Sequence, residues 1–296
     1  MFNSVSEYEK SRHQTILTER ELKIPGLRMI GRLNMPAAAR PLEMHIHQSC
    51  MEFVVMLKGK QTYFAGGEHY ILSGGDVYTS FLDQPHGSGG GLQDICEIIW
   101  FQLDMRGPRG FLGLGGPFAK RLYEKLLGWD AAICKSDPVD RRVIKDAFSC
   151  FAKETPESAY LGAGLLVQFL NRILFRQKPA AAAADSLAAV LRYIDANVES
   201  KLGMAELARL CGLSQSHFKH KFAESTGMTP RYYVNLKKIE KAGELLKNPG
   251  TAVVDAAFGL GFESSSYFSV VFKKYTGMTP TQYAAAARTI DKPQRS

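Results

Sequence analysis

Two copies of one pentapeptide constrain this chain more than any other feature: Thr226-Gly227-Met228-Thr229-Pro230 and, fifty residues later, Thr276-Gly277-Met278-Thr279-Pro280. The likeness runs on to both sides. Phe218 and Phe222 answer Phe268 and Phe272, Tyr233 answers Tyr283, and Ala208 and Gly212 answer Ala257 and Gly261, with one extra residue in the second turn. Self-similarity at a fixed period means one supersecondary unit built twice. In the first copy Met204 to Cys211 reads as a short helix closed by Gly212, a residue free to take the left-handed backbone of a sharp turn. Leu213 points inward, Ser214 caps a second helix, and Phe218 with Phe222 form a buried i, i+4 pair. The second copy is expected to have a helix capped by Thr251 and ending at Leu260, a turn at Gly261, an inward Phe262, a cap at Glu263, and Phe268 with Phe272 as anchors. Between the copies Thr229 caps a helix with proline at its first position, and Tyr233, Leu236, Ile239 and Leu246 carry it to Pro249-Gly250. The spacing predicts two helix-turn-helix units, 204–225 and 252–275, on a stiff helical spacer.

The faces left outside carry the chemistry. The second helix of the first unit exposes Gln215, Ser216, His217, Lys219, His220 and Lys221, and its counterpart exposes Ser264, Ser265, Ser266, Tyr267, Ser269 and Val270. Net charge is +8, and residues 186–296 hold 15 Lys and Arg against 9 Asp and Glu, a balance of +6. Clustered cations suit a polyanion, because they release counterions from phosphates. Two such units on a rigid spacer can enter major grooves about 34 Å apart, one turn of DNA. A helical bundle with merely structural aromatics does not account for two copies.

Gly212-Leu213-Ser214 through Thr229-Pro230, and Gly261-Phe262 through Thr279-Pro280, resemble the paired DNA-binding units of the AraC/XylS family of bacterial transcription regulators, a likeness covering about the last 105 residues. The resemblance implies that Gln215, Ser216, Lys219 and His220 in the first recognition helix, and Ser265, Ser266, Tyr267 and Val270 in the second, face the groove. Lys219 and His220 can donate to guanine acceptors and phosphates, and Gln215 can pair with adenine. The second helix offers hydroxyls, phosphate contacts from Ser264, Lys273 and Lys274, and an apolar Val270 for thymine methyls, so the first unit is expected to carry most base specificity. The implied partners are double-stranded promoter DNA, a second copy of the chain, a small-molecule effector (a sugar, organic acid or aromatic compound) and RNA polymerase.

The first third is written differently. From about Leu22 to Leu103, short runs rich in Val, Ile, Phe and Tyr alternate with glycine turns at Gly66-Gly67, Gly74-Gly75 and Gly89 to Gly91. Glu52 to Leu57, Gln61 to Phe64, Asp76 to Phe81 and Ile95 to Leu103 read as strands of a small antiparallel barrel or sandwich. His45-Ile46-His47, Glu52, Gly59 and His86 resemble in spacing the two motifs of the cupin barrel. On a strand, His45 and His47 share a face, and Glu52 and His86 could complete three histidines and one carboxylate around a divalent iron, manganese, nickel or zinc. The same residues could instead line an organic-effector pocket, walled by Arg40, Tyr63, Tyr78, Trp100 and Gln102, or form a structural polar cluster. A metal-dependent cupin enzyme fused to a DNA-binding module is the rival reading; the regulator reading implies no catalysed reaction.

From about Pro117 the apolar period becomes helical: Phe118, Leu122 and Leu126, then Val143, Ala147 and Phe151, then Leu161, Leu165, Phe169 and Ile173. These helices are expected to cap the barrel and offer a dimer face. Pro179 and five alanines before Asp185, a plausible helix cap, read as a linker. The chain of 296 residues suggests about two domains, and at 45% hydrophobic, 22% charged and mean hydropathy −0.14 it lacks any span of about 18 apolar residues. Met1 to Arg12 has no secretory pattern, so the expected location is the cytoplasm. Five scattered cysteines without a C-x-x-C pair, Cys50, Cys96, Cys134, Cys150 and Cys211, argue against disulfides and thiolate zinc. The expected class is α+β: a cupin-like sensor barrel (1–115), a helical dimerisation region and linker (116–184), and an all-α DNA-binding domain (185–296).

Overall fold

The computed structural model describes residues 13–91, 93–176 and 185–290. They form two compact units, one from residues up to 35 and from Arg40 to Arg176, the other dominated by Asp185 to Ile290. The first contains β1 (Gln14–Thr18), α1 (Glu19–Leu22), β2 (Leu27–Met35), β3 (Cys50–Ala65), β4 (Glu68–Ser73), β5 (Asp76–Ser80), β6 (His86–Gly87), β7 (Cys96–Asp104), α2 (Gly116–Leu127), β8 (Ile133–Lys135), α3 (Pro138–Phe151) and α4 (Pro156–Leu174). All strand pairings are antiparallel, in the order β1-β2-β7-β3-β5-β8, with β4 and β6 also on β3. The sheet is therefore not closed among the described residues, unlike the closed barrel expected. The expected strands 52–57 and 61–64 are one continuous β3, bent where its register shifts between Met56 and Lys58. Gly59 allows the bend: it has φ +80°, and a Cβ there would lie 2.1 Å from the Ile95 carbonyl oxygen.

Alternation along the strands sends two different sets of side chains to the two faces. Phe53, Val55 and Leu57 of β3, with Ile99, Phe101 and Leu103 of β7, form one core with Leu122 and Leu126 of α2, Ile144 and Phe148 of α3, and Leu166, Phe169 and Leu170 of α4. Each such side chain contributes about 1.5–3 kcal/mol on burial. Phe101 connects the layers, stacked on Phe53 at 5.2 Å and edge-on to Phe169 at 6.0 Å. The helices thus pack on the sheet as expected, but Phe118 and Leu161, read as part of their buried stripes, are 73% and 60% exposed. The covered stripe of α2 is instead Ala119, Leu122 and Leu126.

The second unit holds α5 (Asp185–Ala196), α6 (Met204–Leu210), α7 (Gln215–Thr226), α8 (Pro230–Lys247), α9 (Val253–Gly259), α10 (Ser265–Thr276) and α11 (Pro280–Ile290). The repeated pentapeptide is a helix-to-helix joint. Thr226 Oγ1 donates back to the Phe222 carbonyl (2.7 Å) and accepts from Met228 N (3.2 Å), Gly227 takes φ +68°, and Thr229 Oγ1 accepts from Tyr232 N at the start of α8. Thr276, Gly277 (φ +74°) and Thr279 repeat each role, the last capping Gln282 N. Two caps differ from expectation. α10 is capped by Ser264, whose Oγ accepts from Tyr267 N at 3.1 Å, and not by Glu263; α9 begins after Ala252, without a side-chain cap from Thr251. The extra residue lies in the turn before the cap, so Ser264 matches Ser214, which caps His217 N. Pro179 to Ala184 and Met1 to Arg12 lie outside the described residues. Among those described, no helix is long and apolar enough to cross a membrane. Cys50, Cys96 and Cys150 are buried, Cys134 and Cys211 partly so, and all five are free thiols.

Candidate nucleic-acid surface and buried histidine cluster

In the second unit the anchors bury and the candidate contact residues face out. Phe218, Phe222, Phe268 and Phe272 are fully buried. Phe218 and Phe222 meet edge-on at 5.5 Å and Phe222 meets Tyr233 at 5.6 Å; Phe268 and Phe272 are 5.5 Å apart, and Phe272 meets Tyr283 at 5.4 Å. With each α7 anchor turned inward, Gln215, Ser216, His217, Lys219 and His220 are all exposed. On α10, Ser266, Tyr267, Val270, Lys273 and Lys274 are exposed, while Ser264, Ser265 and Ser269 are half-buried. Several α10 hydroxyls are already engaged: Ser264 in the cap, Ser269 in donating to the Ser265 carbonyl at 2.9 Å, and Tyr267 in accepting from Arg231 at 3.5 Å.

Sequence reasoning missed the residue that ties the two copies together. Lys238, midway along α8, is 6% exposed, and its Nζ donates to the Ser200 carbonyl (2.9 Å) ahead of the first copy and to the Leu260 carbonyl (2.6 Å) in the turn of the second. It also lies over the Phe262 ring, 5.6 Å from the centroid, and burial pushes its pKa down. Its signal is its place four residues from Val234 and from Ala242, on the covered stripe of α8.

In the first unit, strand alternation puts a polar set on the sheet face turned away from the helices. Glu52 is opposite Ser80 on β5 and Gln102 on β7, and Val54 is opposite Tyr78 and Trp100. His86, from β6, and His45 form an antiparallel bridge with backbone bonds of 2.9 and 3.0 Å. His45-x-His47 is therefore not a regular strand, contrary to expectation; the bridge and the following turn bring the two rings together. His45, His47, His86 and Glu52 are 2%, 7%, 1% and 5% exposed, and the ring centroids are 4.4–5.3 Å apart. Glu52 Oε2 is 3.3 Å from His47 Nε2, Glu52 Oε1 is 3.3 Å from His86 Nε2, and Gln102 Nε2 donates to Glu52 at 3.0 Å.

The electrostatics follow from that packing. Burial opposes the charge on Glu52, but His47 and His86 outweigh it and hold the carboxyl well below the usual carboxylate range. Burial, followed by the neighbouring His86, pushes His45 down, whereas for His86 burial is outweighed by the Glu52 carboxylate and the net shift is upward. Tyr78, raised by burial and by Glu52, stacks on Tyr63 at 4.9 Å. Tyr63, Tyr78 and Trp100 are buried on or beside this face, but Arg40 is exposed and its carbonyl accepts from Gln93. Ser80 was not anticipated; its place opposite Glu52, two residues from Tyr78, is the strand signal that could have found it.

Three nitrogen donors and a carboxylate in a buried site fit a transition-metal ion: the ligand atoms of His45, His47 and His86 lie within 4.8 Å of one another.

A family described as a helix-turn-helix domain matches residues 207–286. The HTH-type transcriptional activator RhaR of Escherichia coli (strain K12) is 27% identical over 252 residues, covering 81% of this chain and 86% of RhaR, and RhaR of Shigella flexneri matches equally. Among solved structures, an AraC-type regulator from Chromobacterium violaceum is 22% identical over 40% of this chain and all of that one, with TM-score 0.34. Fatty-acid-bound ToxT from Vibrio cholerae is 15% identical over 94% of this chain and 97% of that one, with TM-score 0.32. Both structural likenesses are weak.

Proposed function

We propose that this chain, which resembles the AraC-type regulators of transcription, uses its paired helix-turn-helix units to bind two successive major-groove segments of one promoter, under control of a small molecule held by the N-terminal unit. Its relatives are transcriptional activators of the helix-turn-helix type. The observation carrying the proposal is the duplicated scaffold: in each copy two buried phenylalanines turn a row of polar side chains outward, and α8 holds the copies apart. At about 1.5 Å per residue, its 18 residues make a spacer of about 27 Å, close to the 34 Å repeat of DNA.

On this reading Gln215, Ser216, His217, Lys219 and His220 make the base-reading surface, and Ser264, Ser265, Ser266, Tyr267, Val270 and Lys273 the weaker second one. Labour divides among 1–115 as a cupin-like sensor, 116–184 as dimerisation region and linker, and 185–296 as DNA-binding domain. The sensor face is the buried set around Glu52, with Tyr63, Tyr78 and Trp100 as its aromatic walls. The chain would act in the cytoplasm as a homodimer, engaging RNA polymerase at the promoter, and the exposed Phe118, Tyr160, Leu161 and Phe175 supply apolar surface that a second copy could cover.

Binding of the full chain to a fragmented bacterial genome at physiological salt tests the proposal. Retained fragments should share a site with two half-elements about one turn apart. Salt-sensitive, sequence-indifferent retention would overturn it.

A further inference from the structure

We propose that the cleft between the two helix-turn-helix copies is a ligand site for a small organic anion, a carboxylate on a short apolar body, and that its occupant sets how firmly the copies are held to each other. The site itself stands on the geometry of the second unit. Its control over promoter binding rests on the regulator reading.

The cleft lies wholly inside the second unit and has a volume of about 280 Å³, near the lower end for small-molecule sites. Three stretches wall it: the first half of α8, the segment leading into α6, and the turn of the second copy with the start of α10. Its charge is unbalanced. Lys201, Arg231 and Lys238 line it against one carboxylate, Glu263, which Lys201 already engages at 2.9 Å. Lys238 is deeply buried, and its Nζ donates to the Ser200 and Leu260 carbonyls, which leaves one N–H of the ammonium over. Among the described residues no carboxylate pairs with it, and burial pulls its pKa down with no neighbouring anion to offset the shift. A buried cation held by neutral carbonyls alone still demands negative charge. The exposed Arg231, on the same cleft, can grip a carboxylate through two parallel N–H bonds.

Between these cations the walls are apolar, supplied by Leu202, Met204, Val234 and Phe262. A bare inorganic ion would leave that surface against water, whereas a carboxylate on a hydrocarbon body satisfies both halves of the lining. Backbone phosphates of a duplex are poorer occupants: they can meet Arg231 and Lys201, which are exposed, but not the buried Lys238, 5.6 Å from the Phe262 ring centroid. The place also gives the occupant leverage. Lys238 and the Lys201–Glu263 pair already join the segment before the first copy to the turn of the second, and an anion here adds one more tie, beside Tyr267 on the second recognition helix.

NMR of isotope-labelled methionine methyl groups in the full-length protein reads the site, because Met204 lines the cleft while Met51 and Met56 are buried in the sheet of the first unit. The probe is cyclohexanecarboxylate, compared with its neutral counterpart cyclohexanecarboxamide and with inorganic phosphate. The expected result is a saturable shift of the Met204 signal, identified by its loss in Met204→Leu, with the carboxylate alone. Arg231→Gln should weaken binding by about tenfold or more, for a lost charge-assisted pair, and Lys247→Gln, exposed in the last turn of α8, should leave it unchanged. Lys238→Met should abolish binding, and Arg231→Gln decides if that variant fails to fold. No shift, an equal shift with the carboxamide, or a shift confined to Met51 and Met56 overturns the site. An equal shift with inorganic phosphate makes the cleft a phosphate seat and overturns the organic occupant. Affinity for DNA carrying both half-elements is then compared with and without the probe. A change of about tenfold is expected, and none for DNA carrying a single half-element; an equal change on both, or no change at saturation, overturns the control. Absence of specific DNA binding in either condition defeats the regulator reading and leaves the ligand site standing.

Discussion

The two helix-turn-helix copies share a skeleton and differ in skin. Their buried parts correspond role for role: Phe218, Phe222 and Tyr233 against Phe268, Phe272 and Tyr283, and Thr226, Gly227 and Thr229 against Thr276, Gly277 and Thr279. Their outer rows do not. α7 presents Gln215, Lys219 and His220, whereas α10 presents Ser266, Tyr267 and Val270 and spends other hydroxyls on its own backbone. The difference teaches that burial constrains a repeat through shape, whereas an exposed row can drift to suit one DNA sequence.

If the skeletons are equivalent, the anchor deletions should match. Phe218→Ala and Phe268→Ala should each open a cavity costing about 3–5 kcal/mol, seen as a lowered unfolding midpoint of the second unit. Destabilisation by one substitution and none by the other would break the equivalence. The skins should fail the same symmetry test. Lys219→Ala with His220→Ala should weaken operator binding by about 1–3 kcal/mol for each base no longer recognised and spare random DNA. Ser266→Ala with Val270→Ala should cost clearly less, and equal weakening would refute the asymmetry.

Smaller effects sharpen the same comparison. Ser214→Ala and Ser264→Ala each remove one cap and should each cost about 1 kcal/mol; Glu263→Ala should not reproduce the Ser264 effect, because Glu263 stands outside the helix. The smallest effect belongs to the residue that only the second copy has. Glu263 pairs with Lys201 at 2.9 Å on the open surface, and that hydrogen bond holds its pKa below the ordinary value. The pair's contribution is thus present above the unfolded glutamate value of about 4.3 and fades as pH falls through the lower folded value. Glu263→Gln should abolish only that faint acid limb in thermal melts, and high salt should mimic it.

The second unit is legible because its information is local. Caps, a left-handed glycine and an i, i+4 pair act within a few residues, and repetition lets each copy check the other. Legibility fails at Glu263 and Ser264, where adjacent residues can both cap and only the register decides. In the first unit, β1, β2, β4, β6 and β8 are not among the strands read by pattern, β8 lying within a stretch of helical period. Period identifies the stripes of α2 and α4 but not which edge the sheet covers, so Phe118 and Leu161 read as buried when they are exposed. The histidine cluster is legible as a set, because His45, His47, Glu52 and His86 do converge. The supporting shell of Ser80, the Gln84 carbonyl and the Glu43 carbonyl is not, because it depends on strand register and on backbone groups that a sequence does not display.

Lys238 gives the second unit the character of a ruler. With one ammonium group bonded to a carbonyl ahead of the first copy and to another in the turn of the second, the two reading heads are set at one separation and one phase. A base pair inserted between the half-elements of a promoter rotates one of them by about 34° around the duplex, at roughly 10.5 base pairs per turn. A hinged reader could follow that rotation. On the proposed reading, this one would have to bend the DNA or release it, so promoters that serve it would be held to a fixed spacing as strictly as to a sequence.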